Sequence, residues 1–197
     1  TIRDAMLMAA GTLDTQQGGA GVRPPISQEL VGTLLKKQWE VDPDRRQHHR
    51  RSVYVFARRN LRYPIFDLFD RPDANASCPR RNRSTTAPQS LFLLNSRFSL
   101  ETAREFAGNG LMRTDNPTQF VQWVFRRALG RPPGSGELQR AIRFLQQQSA
   151  LVRREGRPGQ RLALPYPVPE SMEPYLAVAH TDLCLAIFNL NEFIYVD

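Results

Sequence analysis

Residues 115–152, DNPTQFVQWVFRRALGRPPGSGELQRAIRFLQQQSALV, decide the fold. Asp115-Asn116-Pro117 offers a capping side chain followed by a proline, whose missing N–H costs nothing in a first helical turn. Phe120, Val121, Val124, Phe125 and Ala128 then recur on one wide apolar stripe at helical spacing. Gly130-Arg131-Pro132-Pro133 stops that helix, and a second starts near Ser135 with Leu138, Ala141, Ile142, Leu145 and Val152 on its own stripe. A junction this short between two amphipathic helices predicts an antiparallel pair.

Working outward, Gln89 to Asn95 reads as helix, and the turns from Ser99 predict another that ends at Gly108 and Gly110. A last helix is expected from about Glu173 to Leu190, with Leu176, Ala179, Leu183, Ile187 and Leu190 facing the core. Beyond it, Phe193 and Tyr195 are expected to dock the C-terminus. Towards the N-terminus, Thr1 and Asp4 read as an N-cap and an acidic N3 residue before Ala5–Ala10, with a stop at Gly11. Gly18 to Pro25 is a loop, and Gln28 to Lys37 a second short helix. Ser52 to Ala57 is β-branched and aromatic and predicts a strand buried on both faces, with Leu162-Ala163-Leu164 a weak partner. Arg153 to Pro174 is the longest loop. The expected class is mainly α, a helical domain with a minor β element near 52–57 and long Pro/Gly/Arg-rich loops. One domain is expected over 1–197.

The chain carries 27 basic and 19 acidic residues, a formal charge of +8. From Arg45 to Arg83 there are 11 arginines against Asp67, Asp70 and Asp73, so this window alone carries 11 − 3 = +8. Lys36 and Lys37 are the only lysines. Guanidinia suit bidentate carboxylate, phosphate or sulfate contacts and buried pairs. Two distant cysteines, Cys78 and Cys184, permit at most one disulfide, and no CxxCH or zinc spacing occurs. No cofactor and no metal site are expected in this chain, and no apolar run of membrane-spanning length occurs.

The stretch before Gln89 gathers the candidate site. Arg80, Arg81, Arg83, Ser84 and Thr85, with Asp70, Asp73, Asn75 and Asn82, precede a helix N-terminus, where free N–H groups and the helix dipole favour an anion. One reading is a site for a phosphate, sulfate or uronate group. The other is a loop stapled internally by Asp–Arg pairs and Asn, Ser and Thr turns. Asp70 and Asp73 are the candidates for carboxylate catalysis, although Arg71-Pro72 breaks any helix that would align them with Asp67.

Arg45 to Arg51, with Tyr54 and Phe56, has the composition of a nucleic-acid stripe but no recognisable module around it. A solvated basic approach to the strand is the expected role, and adjacent His48 and His49 diverge in an extended chain. His180 and Cys184 stand at i and i+4, but Leu183, Leu185 and Ile187 make Cys184 a small buried hydrophobe. Asn75 and Asn82 open sequons, a weak pattern.

RRSVYVFARRN (50–60), LFDRPDANASCPRRNRSTTAPQSLFLLNS (68–96), FRRALGRPP (125–133) and LCLAIFNLNEFIYVD (183–197) resemble the C-terminal half of a domain of unknown function abundant in planctomycetes. IRDAMLMAAGTLD (2–14) and GGAGVRPP (18–25) extend the likeness. The resemblance implies a domain that closes large exported proteins, often behind a companion domain and a cytochrome-c-like domain carrying haem c. It implies an exported setting, in the periplasm or cell envelope, and assigns no catalytic residue. Three functions follow as expectations: an accessory or interaction domain whose arginine-rich surface holds a companion domain or anionic glycan; part of an enzyme acting on anionic polysaccharide; or a partner in electron transfer. Nucleic acid ranks below them.

Overall fold

The computed structural model describes residues 2–27, 39–57, 63–72, 77–80, 86–156 and 161–195. The chain is mainly helical and divides into two compact units. Unit 1 holds Thr12–Gln89 and Arg3; unit 2 holds Ile2, Asp4–Gly11 and Ser90–Asp197.

Unit 2 is a helical bundle. Its helices are α1 (Ile2–Ala10, less Arg3), α3 (Ala87–Asn95, from Ser90), α4 (Arg97–Leu111), α5 (Pro117–Leu129), α6 (Ser135–Glu155), α7 (Pro174–Phe188) and α8 (Asn191–Ile194). Asn116 caps α5 by accepting from the Thr118 and Gln119 amides, and Gly130 ends it in the left-handed region at φ 71°. The predicted α5–α6 pair is therefore present with its boundaries. Helix α7 packs against α4, α5, α6 and α8, which is why it is apolar on nearly every face rather than striped. Phe106, Phe120 and Phe188 are fully buried, with Phe106 and Phe188 stacked at 5.4 Å and Phe193 5.1 Å from Phe188. Each such ring contributes about 1.5–3 kcal/mol through burial.

Three expectations need correction here. Helix α4 passes through Gly108 and Gly110 and ends at Leu111. These glycines serve close packing rather than termination: a Cβ on Gly108 would lie 2.3 Å from the Tyr166 carbonyl carbon, and one on Gly110 would lie 2.6 Å from the Phe120 ring. Leu190 is 40% exposed because α7 has already ended at Phe188. Phe193 docks as expected, but Tyr195 is 46% exposed. Within the Arg153–Pro174 loop, residues 164–167 form a strap along α4: Arg104 accepts from the Tyr166 amide and donates from Nε to Leu164 O at 2.5 Å.

Unit 1 is built around Val22, Trp39, Val55, Tyr63 and Ile65. Trp39 stacks on Tyr63 at 6.1 Å and donates from Nε1 to Pro24 O at 2.8 Å. The expected strand near 52–57 is absent. Ser52–Tyr54 is a 3-10 turn, and the minor β element reduces to isolated parallel bridges, Asp14 with Arg50 and Val22 with Val55. The backbone there is already committed: Val55 N–H bonds Ser52 O, and the Arg50 carbonyl accepts from Arg3, so a continuous ladder cannot form. Val53 is 74% exposed, against the expectation of burial on both faces. Helix α2 covers Pro64–Leu68. The helix expected at Gln28–Lys37 and the Thr1 cap lie outside the described residues.

Candidate anion-binding site

The stretch singled out in the sequence begins where α2 ends. Phe69 N–H bonds Ile65 O and Arg71 N–H bonds Phe66 O, so the chain reverses through Asp70 in the left-handed conformation, φ 56°. Glycine ordinarily holds that position because a Cβ is strained there. Arg71 lies over the Phe66 ring at 6.0 Å. Gln89 is buried, donates to Leu68 O and accepts from the Thr86 amide, fixing the first turn of α3 in unit 1. Arg80 is exposed, and its carbonyl accepts from the exposed Cys78 thiol at 3.2 Å. Asp67 is exposed as well. Asp73, Asn75, Arg81, Asn82, Arg83, Ser84 and Thr85 lie outside the described residues. Of the predicted set, Asp70 and Arg80 are therefore placed, one at a strained reversal and the other on the surface.

Two arginines that the sequence reading treated otherwise are buried in unit 1. Arg3, 1% exposed, donates to His48 O, Arg50 O and Ser52 Oγ. Its position was readable: 3, 6, 7 and 10 fall on one face of α1, and Met6, Leu7 and Ala10 are buried. Arg50, 3% exposed, donates to Gln16 O, Gly18 O and Ala20 O and lies 4.1 Å over the Tyr54 ring. The expected solvated stripe is thus only partly solvated. Arg45, Arg46 and Arg51 are exposed, Asp44 caps the 3-10 turn Arg45–His49, and Arg46 meets Asp44 at 3.5 Å. His48 Nε2 meets Asp42 O at 2.7 Å. Burial, then the positive charges of Arg3, His48 and Arg45, push the His49 pKa down. The Arg3 and Arg45 guanidinia give the turn a positive local potential. Arg23 crosses the Phe56 ring at 4.4 Å, while Asp42 accepts the Arg23 amide.

In unit 2 the His180–Cys184 pair is buried. His180 Nδ1 donates to Leu176 O at 2.7 Å, fixing the neutral tautomer, and Phe120 meets the ring edge-on at 4.5 Å. Burial lowers the His180 pKa and raises the Cys184 thiol well above its ordinary value, so the thiolate nucleophile is suppressed. Both cysteines are free. Gln148 donates to Asp182, whose carboxyl is pushed up by burial. An ionic clasp had no sequence signal: Arg131 forks onto Glu137 at 2.8 Å and onto Glu192 at 2.6 Å, tying α6 and α8 to the turn after α5. The guanidinium holds the Glu137 carboxyl down at about 2 and lowers Glu192 too. Among the described residues, no group of three or more His, Cys, Asp or Glu side chains is placed to hold a metal.

No curated protein and no solved structure matches the chain. The family described as PSD1, protein of unknown function (DUF1553), matches residues 1–145, a stretch that takes in all of unit 1 and reaches into α6. That coverage, well over half of the chain, places it in the PSD1 family of proteins of unknown function.

Proposed function

We propose that the chain is an accessory or interaction domain of a large exported planctomycete protein, whose arginine-rich unit holds a companion domain or an anionic ligand. The separation of charge supports this reading. Unit 1 carries 15 basic and 8 acidic residues, 15 − 8 = +7, while unit 2 carries 12 and 11, 12 − 11 = +1. Arg3 and Arg50 bond carbonyls inside unit 1 through their terminal nitrogens, whereas Arg45, Arg51 and Arg80 stand exposed. Exposed guanidinia in surplus over carboxylates attract an acidic surface or a uronate or sulfate group. The proposed setting is the periplasm or cell envelope, with any haem c on an associated domain. Among the described residues, no helix is long and apolar enough to cross a membrane.

The test compares thermal midpoints of the native chain and an Arg80, Arg81, Arg83→Gln variant, with and without uronate or sulfated oligosaccharide and the companion domain. The expected result is a ligand-induced rise in the native chain, weaker at high salt and lost in a variant of unchanged intrinsic stability. A variant that melts early whatever is added would make these arginines staples. No rise with any addition to the native chain would sink the reading.

A second reading, an enzyme part acting on anionic polysaccharide, draws support from Asp70 alone, a carboxylate kept at a left-handed position. Asn tolerates that conformation equally well. Asp70→Asn therefore keeps the chain reversal, and loss of depolymerising activity in that variant, measured on uronate polymers, would favour the enzyme; absence of any such activity in the native chain removes it.

A further inference from the structure

The loop Asp14–Gly21 in unit 1 is shaped around a cation. Gly18 and Gly19 take φ of 76° and 86°, which glycine alone adopts freely. Through this double turn the carbonyls of Gln16, Gly18 and Ala20, at alternate positions, face one guanidinium: Nη2 of Arg50 donates to Gln16 O at 3.4 Å and to Gly18 O, and Nη1 donates to Ala20 O at 3.3 Å. The Tyr54 ring lies 4.1 Å from Arg50 Cζ, and the Tyr54 hydroxyl accepts the Gly18 amide at 2.9 Å, so the aromatic wall is tied to the oxygen-bearing loop. Gly19 approaches so closely that a Cβ there would lie 3.4 Å from Nη1. Convergent carbonyl oxygens beside an aromatic face are the chemistry that recognises a planar cation with a fork of N–H donors.

We propose that the Gln16–Ala20 loop and Tyr54 form a binding site for guanidinium cations, filled in the native chain by Arg50 as a built-in ligand. The unused donor supports the assignment. Among the described residues, Arg50 Nε is buried without a hydrogen-bond partner, so recognition runs through the two terminal nitrogens, which a free guanidinium also possesses. An ammonium group has neither the plane nor the fork. The loop is closed only while a guanidinium is seated.

Removing the side chain while keeping the loop tests this. In the full chain carrying Arg50→Ala, amide exchange at residues 16–22 is followed as methylguanidinium chloride is added, with tetramethylammonium chloride and urea as matched controls. Saturable protection by methylguanidinium alone, about tenfold or more, is expected. Protection by none of them, or equally by tetramethylammonium, overturns the site. Should Arg50→Ala fail to fold, Tyr54→Leu in the Arg50 background must loosen residues 16–20 selectively, and unchanged exchange there overturns the proposal. This result is independent of whether the exposed arginines bind an acidic partner.

Discussion

His180 is a buried polar residue that stabilises nothing by being charged. Its Nδ1–H is satisfied by Leu176 O, while its Nε2 is buried without a partner among the described residues. Burial lowers its folded pKa below the ordinary histidine value. The unfolded chain therefore binds the proton more readily, and stability, full above the unfolded pKa near 6.5, falls as pH drops below it. The expected outcome is that amide protection in α7 weakens between pH 7 and 5 in the native chain. In His180→Phe, which removes the orphan nitrogen along with the Leu176 bond, that pH dependence flattens. An unchanged slope in the variant would place the acid sensitivity elsewhere, His49 being the other histidine lowered by burial. Sequence spacing placed His180 and Cys184 on one helical face correctly, but which nitrogen is bonded depends on a ring orientation no spacing encodes.

Helix α4 shows how packing overrides a local signal. Glycine in a helix interior costs about 1 kcal/mol relative to alanine, which is why Gly108 and Gly110 read as a stop. The helix keeps them because the Tyr166–Pro167 backbone and the Phe120 and Trp123 rings occupy the space of a Cβ. Gly108→Ala should therefore destabilise unit 2 by about 3 kcal/mol despite alanine's better helix propensity, since the clash is with backbone that cannot rotate away. Urea unfolding measures it, and a neutral or stabilising change would mean the strap is not seated on α4. Helix α8, only four residues long, is held differently, by Phe193 and by Glu192 on Arg131. Glu137 and Glu192 have depressed folded pKa values, so their contribution is complete above the unfolded value near 4.5 and is lost as pH falls through the folded values, about 2 for Glu137 and lowered by Arg131 for Glu192. Glu192 is exposed and Arg131 and Glu137 are partly so, and the clasp is screened by salt. Glu192→Gln should leave global unfolding nearly unchanged while speeding amide exchange at residues 191–195 and removing its acid dependence; exchange identical to the native chain would show that Phe193 alone holds α8.

Across the whole molecule, legibility followed locality. The α5–α6 pair was readable because Asn116, Gly130 and two apolar stripes are local signals, and α1 was readable from Ala5–Ala10 for the same reason. The Ser52–Ala57 strand is not formed, and β-branched composition does not reveal whether a partner strand exists; here Ser52–Tyr54 close a 3-10 turn, with Val55 N–H on Ser52 O. The candidate site was legible as composition, an arginine surplus, and not as geometry. The sequence counted Arg50 with the exposed cations although its side chain is internal. What survives is an uneven charge, +7 in unit 1 against +1 in unit 2, and this predicts different responses to salt. Compaction brings like charges together, so self-repulsion weighs on unit 1, and raising ionic strength shortens the Debye length from about 30 Å at 0.01 M to about 8 Å at 0.15 M. Sodium chloride over that range should raise the stability of unit 1 by about 1 kcal/mol, roughly 4–8 °C, and leave unit 2 nearly unaffected. Amide exchange followed against salt, with Val22 and Val55 reporting on unit 1 and Phe106 and Leu183 on unit 2, reads the two separately. Equal responses would mean that the surplus guanidinia of unit 1 are neutralised within the fold, which leaves no cationic face for an acidic partner to read.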